Sequence, residues 1–135
     1  MKLNPYIMYP GNAEEALNFY KECLKGEIKD LGRYGDSPME SAEDMKDKIM
    51  HARFMFDDNL IMISDSHLGN DAVPDSNIHL SVDVAEADEL ERVFSQMAEG
   101  GKITMPLQDM FWGARFGMLT DKFGVRWMFN HEIKK

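Results

Sequence analysis

Apolar and polar residues recur along this chain in a pattern that predicts strands and helices in a definite order. An apolar run at residues 3–9 fits a buried strand and stops at Pro10-Gly11, a dipeptide typical of turns. Apolar residues then return every three or four positions, as in a helix that packs on one face. The pattern predicts a helix that ends at Gly26 and buries Ala13, Ala16, Leu17, Tyr20 and Leu24.

The start of this helix has the sequence of a cap. Asn12 precedes the apolar stripe and Glu15 stands three residues later, an arrangement similar to a capping box. We therefore predict that these two side chains bond free backbone N–H groups of the first turn. Further along, the sequence predicts strands at 28–34, 49–56 and 60–65, the last two joined by a turn at 57–59. Between the first two strands lies a polar segment, in which we expect a brief helix from Ser41.

The same order of elements returns in the second half of the chain. Beyond a polar linker at 66–76, the pattern predicts a helix at 86–98 and strands at 77–84, 102–107, 111–119 and 125–130. The tripeptide Ala-Arg-Phe also occurs twice, at 52–54 and at 114–116, which suggests a duplication. We predict an α+β fold: one domain, residues 1–135, of two βαβββ modules at about 1–65 and 77–135. Each helix would cover one face of a four-stranded sheet.

Composition narrows the classes of function. The 135 residues carry a net charge of -9, which disfavours binding to nucleic acids and anionic membranes. No segment has the roughly 20 apolar residues that span a bilayer, so we expect a soluble cytoplasmic protein. The single cysteine, Cys23, lies on the predicted first helix, where a packing role is the best interpretation.

Two histidines are the candidate catalytic residues. Because successive residues of a strand point to opposite faces, Ala52 and Phe54 would face the core while His51 and Arg53 face the other side. The same rule places Ile78, Leu80 and Val82 on the helix side and sets Asn77, His79 and Ser81 opposite. His51 and His79 could therefore serve a pocket, or each could be a structural histidine with backbone partners.

Aromatic residues and methionines are dense near the C-terminus. Residues 111–130 predict two strands around a TDKFG turn, and their aromatic side chains fit either a core or a pocket wall for a small organic ligand. The twelve methionines fit irregular cavities or loosely specified cores equally well. Sequence motifs for nucleotide loops, zinc proteases, serine hydrolases and zinc ribbons are absent, and no cofactor is expected.

Several segments carry a family resemblance: PYIMYPGNAEEALNFY at 5–20, SDSH at 64–67, and Phe111-Trp112 followed by TDKFGVRWMFN at 120–130. They resemble the PhnB-like branch of the vicinal oxygen chelate superfamily, which includes glyoxalase I, extradiol dioxygenases and bleomycin-resistance proteins. The resemblance covers nearly the whole chain. It implies a glyoxalase-like fold in which the two modules form a cupped mixed sheet with helices outside. It also implies a homodimer with pockets built from both modules.

The resemblance implies four places for the ligands of a divalent metal. In this chain they fall near Pro5, at 51–53, at Asn77 and at Met128. Proline and methionine do not suit a hard divalent ion and asparagine suits it poorly, so no metal is expected. A displaced site that uses His51 and His79 stays open as an alternative.

These observations lead to an expected function without a substrate. We expect a PhnB-like protein that binds a small molecule, with enzyme activity left open and no nucleic acid or membrane partner. The alternatives are a metal-dependent lyase or dioxygenase of the glyoxalase type and a drug-sequestering protein of the bleomycin-resistance type. Beside the catalytic candidates His51 and His79, the candidate ligand-binding residues are Arg53, Asn77, Phe111, Trp112, Arg115 and Met128.

Overall fold

The computed structural model describes residues 4–37, 43–66 and 78–133, and it divides the chain into two compact units, residues 1–73 and 74–135. The first unit contains β1 (Tyr6–Tyr9), α1 (Ala13–Leu24), β2 (Glu27–Arg33), β3 (Ile49–Phe56) and β4 (Asn59–Asp65). The second contains β5 (Leu80–Asp83), α2 (Ala87–Met97), β6 (Lys102–Met110), β7 (Ala114–Thr120) and β8 (Arg126–Glu132). None of the helices in the described residues is long and apolar enough to cross a bilayer.

Each unit has the predicted βαβββ order. The four strands of the first sheet lie in the order β1-β4-β3-β2, and those of the second lie in the order β5-β8-β7-β6. In both sheets the first strand pairs in parallel with the last, and the remaining pairs are antiparallel. The chain therefore has the α+β, glyoxalase-like fold that the sequence predicts.

The core of the first unit lies between α1 and its sheet. Of the predicted helix stripe, Ala13, Ala16, Leu17 and Tyr20 are fully buried, and Leu24 is half-buried. The Tyr20 ring lies 6.2 Å from the ring of Phe54 on β3, so Phe54 faces the helix as predicted. The hydroxyls of Tyr9 and Tyr20 are 3.0 Å apart, which gives each buried phenol a polar partner.

The start of α1 differs from the prediction. Neither Asn12 nor Glu15 forms a capping box, because the Asn12 side chain makes no capping hydrogen bond. The buried carboxylate of Asp65 takes this role: it accepts from Ala13 N at 2.9 Å and, through its other oxygen, from Ile49 N at 2.9 Å. Asp65 thus joins the start of α1, the start of β3 and the end of β4, and a sequence pattern based on local spacing does not detect such a cap.

The core of the second unit lies between α2 and its sheet. Phe94 of α2 meets Phe129 of β8 edge-on at 5.9 Å, and Trp127 and Phe129 are buried. A side chain at Gly117 would approach within 2.9 Å of Phe94, so this glycine lets the helix approach β7 closely. The predicted TDKFG turn is held by Asp121, whose carboxylate accepts from Phe123 N, Val125 N and Trp127 Nε1.

Two predictions on the second unit are wrong. Ile78 was expected to face the helix, but it precedes β5 and is 69% exposed. The strand predicted from residue 111 begins at Ala114, because Phe111, Trp112 and Gly113 form the turn between β6 and β7. The linker predicted at 66–76 lies, apart from Ser66, outside the described residues, so it stays a prediction. In the first unit, the described part of the segment expected to form a short helix from Ser41 has a 3-10 helix at Glu43–Met45.

The repeated Ala-Arg-Phe tripeptide is not structurally equivalent in the two units. In β3, Phe54 faces α1 and Arg53 lies on the opposite side of the sheet. In β7, Arg115 is two residues from the helix-facing Gly117 and donates from Nε to Glu91 of α2 at 2.9 Å. The two arginines therefore lie on opposite faces. The duplication is real in the order of strands, but this tripeptide does not mark it.

Candidate functional site

Each sheet has one face against its helix, and the other face, which we call the open face, carries the half-exposed side chains. In the first sheet a single row of paired residues crosses all four strands on this face. Tyr6 of β1 pairs with Met62 of β4, Met62 pairs with Arg53 of β3, and Arg53 pairs with Lys29 of β2. Paired residues point to the same side of a sheet, so these four side chains are neighbours.

His51 lies beside this row. Its Nδ1 atom is 3.5 Å from the hydroxyl oxygen of Tyr6, and the two ring centroids are 6.0 Å apart. This distance is at the outer limit of a hydrogen bond, and the imidazole is half-buried. The predicted placement of His51 and Arg53 on the side away from the helix is confirmed, since Ala52 and Phe54 between and beside them are fully buried.

Arg53 brings a positive charge to the open face. Its Nη1 atom donates to Asp30 Oδ2 at 3.1 Å, and both side chains of this ion pair are substantially exposed, at 39% and 64%. Exposed ion pairs are weak and exchange readily for other partners. The guanidinium can therefore turn toward a carboxylate or other oxyanion of a bound molecule without a large loss of stability.

Tyr6 is a candidate site residue that sequence reasoning missed. It is 49% exposed, and its partner His51 is 45 positions away, so only the alternation of β1 could have indicated it. A second phenol, Tyr34, donates to the main-chain oxygen of Asp65 at 2.7 Å. Burial raises the pKa of Tyr34, and the neighbouring Tyr6 and Asp65 raise it further. Tyr34 is thus held neutral as a donor that fixes the end of β4.

The open face of the second sheet is rich in methionine. Met105 of β6 pairs with Met118 of β7, Met118 pairs with Met128 of β8, and Met128 pairs with Ser81 of β5. All three thioether side chains are half-buried. The predicted ligand-binding residue Met128 therefore lies on an open face, in a second row that crosses all four strands.

The remaining sequence candidates lie elsewhere. Phe111 is 95% exposed and Trp112 is 52% exposed at the tip of the β6–β7 hairpin, where their rings meet edge-on at 5.1 Å. Arg115 is on the helix side, where the hydrogen bonds that its guanidinium donates to Asp109 and Glu91 raise its pKa. His79 is half-buried just before β5 in the second unit, whereas His51 is in the first. Asn77 lies outside the described residues.

Two of the four places that the family resemblance implies for a divalent metal, Pro5 and Met128, offer no side chain that suits a hard divalent ion. Pro5 offers only its main-chain oxygen, which already accepts from Met62 N at 3.0 Å. Met128 offers a thioether, a soft donor that hard divalent ions bind poorly. Across residues 4–37, 43–66 and 78–133, no three His, Cys, Asp or Glu side chains are grouped so as to hold a metal ion.

Comparison with known proteins agrees with this fold. Residues 2–129 match the family model of the Glyoxalase/Bleomycin resistance protein/Dioxygenase superfamily. The chain is 33% identical to protein YjdN of Escherichia coli K12, in an alignment that covers 96% of this chain and 95% of that protein. It is 41% identical to protein PA1353 of Pseudomonas aeruginosa, with a TM-score of 0.90 and 99% of each chain covered. A PhnB protein from Bacillus cereus is 30% identical, with a TM-score of 0.83, and 97% of this chain and 99% of that one are covered.

Proposed function

Because the chain belongs to the Glyoxalase/Bleomycin resistance protein/Dioxygenase superfamily, we propose that it is a PhnB-like protein that binds a small organic molecule on the open face of its first sheet. One observation carries this proposal: Tyr6, His51 and Arg53 stand together there, half-exposed, beside Met62. Such side chains do not serve the core, which lies on the opposite face of the same strands. The proposal includes a cytoplasmic homodimer.

The cluster has the composition of a site for a small ligand. Small-molecule sites are mostly apolar, with a few polar groups that fix the orientation of the ligand. Here Met62 and the ring of Tyr6 supply apolar surface, Arg53 supplies a charged donor, and His51 supplies ring nitrogens that can donate or accept a hydrogen bond. A molecule with a flat apolar body and a carbonyl or carboxylate group fits this set.

In this proposal the ligand is held by direct hydrogen bonds to side chains and not by a bound divalent ion. The side chains at Pro5 and Met128 give no hard oxygen or nitrogen ligand, as described above. His51 next to Tyr6 is suited to move a proton to or from a carbonyl compound, because a phenol within reach can share the proton with the imidazole. Turnover of a bound carbonyl compound would therefore depend on proton transfer by His51.

A thermal-shift screen tests the proposal. Small aromatic and dicarbonyl compounds would be measured against the wild type, His51→Ala, Arg53→Ala and Tyr6→Phe. We expect compounds that raise the melting temperature of the wild type to lose most of that effect in His51→Ala and Arg53→Ala. Arg92→Gln is the matched control, because its guanidinium is on helix α2 beside Glu89. Equal stabilisation of the wild type and the open-face variants would show that the site is elsewhere.

A further inference from the structure

Most methionines in the described part of this chain lie outside its core. Ten of them lie in the described residues, and among these ten only Met97 is buried. A flexible thioether that merely fills gaps would be found inside, as Met97 is. The other nine described methionines are partly or largely accessible, so their thioethers are available at the surface.

Three of these methionines form one row on the open face of the second sheet. Met118 faces away from α2, since its neighbours Gly117 and Leu119 are buried on the helix side. Met128 does likewise, because Trp127 and Phe129 on either side of it are buried. The register pairs Met118 with Met128 on one side and with Met105 on the other.

The third member reaches this row through irregularities in β6. Ile103 pairs with the buried Leu119, and Met105 pairs with Met118, so two steps along β6 match one step along β7. A second shift between Met105 and Gln108 restores the alternation. Without the first bulge, Met105 would share the face of Ile103. The bulges therefore turn the thioether of Met105 to the open face.

We infer that Met105, Met118 and Met128 form a thioether site for a soft monovalent cation, Cu(I). Opposed residues on neighbouring strands have Cα atoms about 4.5–5.5 Å apart, and methionine has three rotatable side-chain bonds, so three sulfur atoms can converge on one ion beside Met118. Thioethers select Cu(I) over hard divalent ions. The fourth member of the row is Ser81, which adds no carboxylate.

The donor set also fixes the pH behaviour of the site. A thioether has no proton to lose, so Cu(I) adds to three sulfur lone pairs and releases no proton. Sites built from histidine or cysteine bind less tightly as pH falls, because their ligands must be deprotonated. Binding at the methionine row is therefore independent of pH between about 5 and 8.

A competition titration tests the inference. Wild-type protein, Met118→Leu and Met8→Leu would be titrated with Cu(I) against a chromogenic chelator, without oxygen and with a reductant. We expect one equivalent on the wild type and on Met8→Leu, and an affinity lower by at least about tenfold in Met118→Leu. Leucine conserves volume, and Met8 is a 48% exposed methionine on the first sheet, so Met8→Leu is the matched control.

Two further measurements keep the test decisive. Met105→Leu and Met128→Leu should each weaken binding as Met118→Leu does, and Ag(I) should bind in the same ratio without any redox step. The inference is overturned if the wild type takes no Cu(I) from the chelator, if the three leucine variants bind as the wild type does, or if affinity falls steadily from pH 8 to pH 5. These outcomes do not depend on the organic ligand, so they leave the proposed function to its own test.

Discussion

Two buried aspartates show how much a single residue organises in this fold. Asp65 accepts two main-chain N–H groups from α1 and β3, and Asp121 accepts two more and the indole N–H of Trp127. Both lie at the end of a strand or directly after one, where aspartate commonly accepts from free backbone N–H groups. The partners of Asp121 are two to six residues away, so a turn in the sequence is enough to predict these contacts. Ala13 is 52 residues from Asp65, so local sequence does not predict that contact.

Replacing Asp65 tests this role. Asp65→Ala should lower the free energy of unfolding by about 2–3 kcal/mol, because it leaves the N–H groups of Ala13 and Ile49 buried without an acceptor. Urea unfolding followed by circular dichroism would measure it. Asp83→Ala is the control, since that exposed carboxylate accepts only a long bond of 3.3 Å from Asn130 Nδ2. A loss for Asp65→Ala as small as for Asp83→Ala would show that water satisfies both N–H groups.

Neighbouring residues of β3 should respond in opposite ways. Phe54→Ala should destabilise the protein by about 3–5 kcal/mol, because it empties a fully buried site against Tyr20. His51→Ala and Arg53→Ala should each cost less than about 1 kcal/mol, because both side chains are half-exposed on the open face. The same unfolding assay compares the three variants. If His51→Ala unfolds as readily as Phe54→Ala, the histidine is structural.

At the scale of elements, strand alternation predicts faces well wherever a strand is regular. It assigns His51, Arg53 and Phe54 correctly in β3, and it does not hold where the register shifts or where a strand begins later than predicted. Ile78 lies before β5 begins, and the bulges of β6 turn Met105 away from the face of Ile103. Bulges depend on pairing with the next strand, so the sequence of β6 alone does not reveal them.

The ion pair between α1 and β2 gives a pH-dependent prediction. Arg33 bonds both carboxylate oxygens of Glu14, at 3.0 and 2.7 Å, and this lowers the pKa of Glu14 below its usual 4.5. A carboxyl with a depressed folded pKa adds stability above its unfolded pKa and loses it as pH falls through the folded value. Because Glu14 is 52% exposed, its contribution at pH 7 should be under about 1 kcal/mol.

Glu14→Gln measures this contribution. The variant should be slightly less stable than the wild type at pH 7, and the difference should shrink as pH falls below 4.5 and the wild-type carboxyl is protonated. Glu22→Gln, an exposed change on the same helix, should show no such trend. Unfolding midpoints between about pH 3 and 7 would be compared for the three proteins. A difference that grows toward low pH would contradict the role of the ion pair.

At the scale of the whole molecule, the sequence predicts the fold class because the βαβββ order repeats and the resemblance covers both halves. Less of the candidate site can be predicted from the sequence. His51 and Arg53 follow from alternation, but Tyr6 joins them only because β1 is placed parallel to β4, which puts it in one row with Met62 and Arg53. The order of strands in space, and not the order in the chain, brings these candidate residues together.

The metal content of the purified protein should follow from the residues at the ligand places that the family resemblance implies. We expect purified protein, after dialysis, to hold far less than one equivalent of nickel, zinc, iron or manganese, because Pro5 and Met128 give no hard ligand side chain. Elemental analysis would measure it. Close to one equivalent per chain, lost in both His51→Ala and His79→Ala, would instead favour a metal-dependent lyase or dioxygenase. The same result without dependence on either histidine would require other ligands.

The edges of the sheets and the exposed apolar side chains lead to a prediction about the oligomeric state. Within the described residues, each sheet ends in outer strands that pair with one neighbouring strand, an arrangement that favours association, and large apolar side chains are exposed, among them Ile78 at 69% and Phe111 at 95%. We expect a dimer of twice 15.5 kDa in light scattering at micromolar concentration. Because each chain carries a charge of -9, salt should screen the repulsion and strengthen the dimer between about 50 and 500 mM. A monomer mass at every salt concentration would rule out the dimer, and a dimer that dissociates as salt rises would indicate ionic contacts in place of apolar ones.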